Sequence, residues 1–128
     1  GADVIEQACQ AVTARRLCRE TAAALQRCLR ERGGQAAQCQ AEIARFEVCA
    51  NDAMPQVVRL LTATASQRCP SEVSAFQRCV KEKGGQGGRA EELCEALDQQ
   101  ALTCASRALL QPGAIDSAVI PKPGSEWT

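Results

Sequence analysis

The chain has 128 residues, with 15 basic and 15 acidic side chains that cancel to a formal net charge of zero, and it contains no histidine. That balance argues against broad nucleic-acid binding, and the missing histidine removes the commonest acid–base and metal-ligating group. Nine cysteines stand beside only 24 Leu, Ile, Val and Phe residues, a composition that leaves little apolar surface to bury and points to a disulfide scaffold of an oxidising compartment.

The first helix is expected to begin near Asp3, where Asp3-x-x-Glu6 resembles a capping box, and no Gly or Pro interrupts it before Arg32. Val4, Ile5, Ala8, Cys9 and Val12 give its start an apolar stripe. Residues 1–17 therefore read as an N-terminal helical extension that packs on the rest of the chain or on a partner. Gly33-Gly34 is a turn, and a second helix follows from about Gln35 to Ala50. Asn51-Asp52 and Pro55 predict a break and a restart. Residues 50–68 are then a connecting helix whose apolar contacts are Val57, Val58, Leu60 and Leu61. Pro70 opens the next helix, which runs to about Lys83. Gly84, Gly85, Gly87 and Gly88 make the second turn, and the last helix spans roughly Gly88 to Leu110. Pro112-Gly113 ends it, and a tail carrying Pro121, Pro123 and Gly124 is expected to be extended. No apolar run approaches the length of a membrane span, and no secretory h-region is visible.

Eight cysteines repeat one spacing. Nine residues separate Cys18 from Cys28, Cys39 from Cys49, Cys69 from Cys79 and Cys94 from Cys104. On a helix that spacing places two sulfurs about 15 Å apart along the axis. Two such helices packed antiparallel bring cysteines to matching heights, outer with outer and inner with inner. Four cysteines allow three pairings, so spacing does not prove the connectivity. Pairing within one helix is disfavoured, since bridged Cα atoms must lie within about 7 Å. The alternative crossing of Cys18 with Cys39 needs a shifted helix register. The expected bridges are Cys18–Cys49 with Cys28–Cys39, and Cys69–Cys104 with Cys79–Cys94. The fold class is all-α, with hairpins at residues 18–49 and 69–104, the connector at 50–68, and a helix end plus tail at 105–128.

Zinc and dithiol redox sites need cysteines close in sequence. The chain has no Cys-x2-Cys, no Cys-x-Cys and no adjacent pair, so no metal, cofactor or catalytic site is expected, and the chain reads as a non-enzyme. Cys9 is left over. Its place beside Ile5 and Val12 marks it as a buried free thiol, with an intermolecular bridge as the other reading.

The chain is internally duplicated. Cys28-Leu-Arg-Glu-Arg-Gly-Gly-Gln35 matches Cys79-Val-Lys-Glu-Lys-Gly-Gly-Gln86 at an offset of 51 residues. Cys39-x2-Glu-Ile-x2-Phe-x2-Cys49 echoes Cys69-x2-Glu-Val-x2-Phe-x2-Cys79. Ile43, Val73, Leu25, Phe46 and Phe76 thus share a helix side with the cysteines. Phe46 and Phe76 are core residues on that reading. Charge is unevenly spread: residues 15–32 hold six arginines against Glu20 and Glu31, while residues 89–98 hold Glu91, Glu92, Glu95 and Asp98 against Arg89. Such faces are solvated or meet a partner.

The four Cys-x9-Cys motifs at Cys18/Cys28, Cys39/Cys49, Cys69/Cys79 and Cys94/Cys104 resemble those of the twin Cys-x9-Cys, or CHCH (coiled-coil-helix–coiled-coil-helix), proteins of mitochondria. The resemblance covers residues 18–104. It implies localisation in the intermembrane space, peripheral to the inner membrane, with import as a reduced chain and oxidation by the disulfide relay there. It also implies the nested bridges, and an import-docking role for Phe46 with Cys49 or Phe76 with Cys79. Copper-handling members use adjacent cysteines before the hairpin, whereas Cys9 is followed by Gln10. The expected function is a structural accessory subunit of a mitochondrial respiratory complex, complex I (NADH:ubiquinone oxidoreductase) first, partnered by other subunits of that inner-membrane assembly. The alternatives are another respiratory complex, ATP synthase, a mitochondrial ribosome or a CHCH assembly factor.

Overall fold

The computed structural model describes the backbone of residues 2–83 and 89–122, and the side chains of residues 3–83 and 92–122. The second glycine turn and the tail residues Pro123 and Gly124 lie outside the described residues. The elements are α1 (Ala2–Val12), a π-helical turn (Thr13–Leu17), α2 (Arg19–Glu31), a 3-10 turn (Ala36–Gln38), α3 (Gln40–Arg68), α4 (Pro70–Lys83), α5 (Arg89–Leu109) and α6 (Ala114–Ser117). Helices α2 and α3 pack as one hairpin and α4 and α5 as the other.

Three cysteines stand just outside their helices, where the sequence pattern placed them inside. Cys18, Cys39 and Cys69 share one non-helical conformation, with φ of −124°, −121° and −131°. Each carbonyl accepts the first bond of the helix that follows: Ala22 N–H to Cys18 at 2.9 Å, Ile43 N–H to Cys39 at 2.9 Å, and Val73 N–H to Cys69 at 3.0 Å. The expected single helix from Asp3 to Arg32 is thereby divided. The Cys18 amide reaches back five residues to the Thr13 carbonyl at 2.7 Å, and the Thr13 hydroxyl donates to the Cys9 carbonyl at 2.7 Å. This π turn separates α1, which lies on α5, from α2, which lies on α3. Gly33 and Gly34 then adopt φ of 65° and 82°, and the Gly34 amide closes a Schellman-type cap on the Leu29 carbonyl at 2.7 Å.

The expected break at Asn51–Pro55 does not occur. α3 runs unbroken for 29 residues with Pro55 inside it, so residues 50–68 continue the hairpin helix instead of forming a separate connector. An interior proline costs about 3 kcal/mol through the lost N–H and its clash with the carbonyl four residues back. Here that carbonyl belongs to Asn51, and both residues are exposed, so water can take the freed acceptor. On the other face Ala53, Val57, Leu60, Leu61 and Ala65 are buried. Fully burying a Val or Leu side chain contributes about 1.5–3 kcal/mol, so three of them outweigh the proline.

The core lies between the hairpins. It is made by Ala8 and Val12 of α1, Val57, Leu60, Leu61 and Ala65 of α3, Ala105 and Leu109 of α5, and Ile115 of α6. The N-terminal extension therefore packs back on its own chain. The tail also departs from expectation. Gly113, at φ 78°, turns the chain back after α5, and α6 drives Ile115 into the core at 1% exposure. A single isoleucine among polar and small residues gives no helical periodicity, so the element is legible only from the cavity it fills.

Candidate functional site

Four disulfides set the geometry of the surface. Cys18–Cys49 and Cys28–Cys39 span 5.9 and 6.0 Å between Cα atoms, and Cys69–Cys104 and Cys79–Cys94 span 6.2 and 5.5 Å. Each hairpin thus has an outer and an inner rung that fix its two helices in register. The donor atoms of Cys28, Cys39 and Glu42 all lie within 4.8 Å of one another, yet both sulfurs are spent in a bridge and offer no thiolate to a metal.

Cys9 is the free cysteine, half-buried on α1 against the core. Burial pushes its thiol above the usual value, and the Glu6 carboxylate one turn away pushes it further. Both effects hold it as an unreactive thiol near neutral pH. Phe46 on α3 and Phe76 on α4 are each half-buried and sit three residues before Cys49 and Cys79. Neither joins the central core, against the core role read from the sequence.

One concavity at the π turn and α6 is a groove of about 980 Å³. It is lined by Ala11, Ala14, Ala22 and Ala23, by the basic residues Arg15, Arg16 and Arg19, and by Pro112, Gly113 and Asp116. The π turn and α6 make it together. Arg16 is pinned, since its Nη1 donates to the carbonyls of Ile115 at 2.5 Å, Ala118 at 2.9 Å and Asp116 at 3.3 Å. These carbonyls lie at the C-terminal end of α6, where a cation is favoured, and that of Ile115 also accepts the Ala118 N–H at 3.3 Å. Arg15 and Arg19 are exposed beside it.

The acidic start of α5 shows the opposite balance. Glu92 and Glu95 are exposed, and the carboxyl of Asp98 is raised by partial burial and then by Glu95. Glu91 lies outside the described side chains. The arginine surplus read from sequence lies mainly on the π turn and α2, and the acidic surplus on the start of α5. The sequence missed the pin at Arg16 and the plug at Ile115, because their partners lie 99 residues apart in the chain.

No described helix is long and apolar enough to cross a membrane. Two hairpins, each closed by its own nested bridges, make this an all-α, disulfide-stapled fold of the twin Cys-x9-Cys type. No protein-family model, no curated protein and no solved structure matches the chain.

Proposed function

We propose that the chain is a non-catalytic accessory subunit, bound peripherally on the intermembrane-space side of a mitochondrial respiratory complex, with complex I as the host. The observation that carries this reading is the pair of covalently registered hairpins seated on one shared core. Such a body holds its surface shape without a ligand and offers fixed charged faces to neighbours. Eight of its nine cysteines are committed to rungs, and the chain holds no histidine, so its chemistry favours bracing over turnover.

The stretch Gln67-Arg-Cys-Pro-Ser-Glu-Val-Ser-Ala-Phe-Gln-Arg-Cys79 resembles the start of the second hairpin of NADH dehydrogenase alpha-subcomplex subunit 8, which supports complex I as host. Import would follow the intermembrane-space disulfide relay. Phe46 and Phe76 would dock the reduced chain beside Cys49 and Cys79, then fold down on their hairpins. Gentle solubilisation of mitochondria followed by native electrophoresis tests the reading. The chain should migrate with complex I. Migration as a small free species would sink it and favour an assembly factor.

A further inference from the structure

None of the residues that line the basic groove of α1, the π turn and α2 is a bridged cysteine. Three arginines and one acid, Asp116, line it. Arg16 is fixed by the α6 carbonyls and keeps its charge in place. Arg15 and Arg19 stand exposed on either side of that fixed point. The lining follows α1, the π turn and α2 from Ala11 to Gln26. Four alanines in the lining offer little side-chain bulk to another backbone. A concave, basic trough lined by small side chains matches a helix that carries acidic side chains along one face.

We propose that this groove docks an acidic helical segment of a neighbouring protein subunit, which names the partner chemistry of the assembly role proposed above and rests on it for the identity of the host. Two other occupants fit less well. A membrane surface calls for large apolar side chains that enter the acyl boundary, and none lines the groove. A second copy of this chain would offer its α5 face, where, among the described side chains, Glu92 and Glu95 are the exposed acids and Asp98 is half-buried. Two exposed ion pairs contribute roughly 0.2–1 kcal/mol each, too little for a dimer.

The test uses the oxidised full chain and two labelled alanine-rich peptides about four helical turns long. Both carry the same number of glutamates, on one face in the first and scattered around the helix in the second. The one-face peptide should bind about tenfold tighter, and Arg15→Glu with Arg19→Glu should weaken it about tenfold. Arg27→Glu with Arg32→Glu makes the same change of charge outside the groove and should cost less than threefold. Equal binding of the two peptides, or equal losses in the two variants, would overturn the proposal. So would displacement of the peptide by phosphatidylglycerol vesicles, or salt-sensitive dimers in sedimentation that the Arg15/Arg19 variant abolishes. In mitochondria the same variant should be at least tenfold depleted from the large complex. Full incorporation refutes the groove and leaves the accessory-subunit reading standing. A native chain that joins no large complex refutes that reading, while the peptide result still decides the groove.

Discussion

Replacing Cys69 and Cys104 together by alanine opens the outer rung of the second hairpin and leaves the inner rung closed. The outer bridge spans 35 residues and the inner one short-circuits 15 of them, so the released loop is effectively 20 residues (35 minus 15). The loop-entropy relation assigns about 3 kcal/mol to that length at 25 °C. Cys69 is 1% exposed, so loss of its sulfur leaves a small void that adds up to about 1 kcal/mol. The sum is a large part of the roughly 5–15 kcal/mol that keeps a domain folded, and it shifts the folding equilibrium by more than about a hundredfold. Guanidinium titration followed by helical circular dichroism reads it as a lower midpoint. Opening the inner rung of the first hairpin, Cys28–Cys39, frees 11 residues and should cost about 2.8 kcal/mol, the smaller loss. A midpoint that does not move when the outer rung is lost would refute the reasoning. A loss from the inner rung exceeding that from the outer would do the same.

Ile115→Ala should cost about 2–4 kcal/mol, since it empties a site of 1% exposure in the core; hydrogen exchange should speed up in α1 and α6 while the amides between the rungs stay protected. Pro55→Ala should raise stability by about 1–2 kcal/mol, restoring an α3 hydrogen bond at some cost in unfolded-chain entropy, and a lower thermal midpoint would count against an unbroken α3. Ser106 has no exposure and its hydroxyl finds no partner among the described residues, so Ser106→Ala should stabilise by about 1 kcal/mol in the same titration. Cys9 should alkylate with a pH midpoint above that of the unfolded chain, and Glu6→Gln should move the midpoint down. The linkage has a definite sign: above the ordinary thiol value the unfolded chain ionises first, the folded chain holds more protons, and stability falls as pH rises. Cys9→Ala should remove that slope.

The cysteine spacing made the hairpins legible because ten residues of helix rise is a length that only a parallel or antiparallel neighbour can match. It also left Cys9 as the odd sulfur, and Cys9 is the free thiol. Boundaries were harder, for reasons visible at single residues. Pro55 is a helix-breaking signal by local chemistry, and it was overridden by Val57, Leu60 and Leu61, whose burial depends on helices distant in sequence. Cys18 carries no Gly or Pro beside it, yet it ends a helix because its carbonyl starts the next one. The arginine surplus of residues 15–32 was plain in the sequence. That Arg15, Arg16 and Arg19 bound one trough became visible only when α6 supplied the opposite wall.

Arg16 and Ile115 join the two ends of the chain with no covalent tie, a clasp closed across 99 residues. Every rung encloses a far shorter stretch, 35 residues at most. The hairpins can therefore be locked while the polypeptide is still incomplete, whereas the central core has to wait for residue 115. Long-range closure of this kind is slow. An oxidised chain that has lost its final residues would keep both ladders and still leave Leu60 and Leu109 bare, a hazard that oxidation alone does not remove.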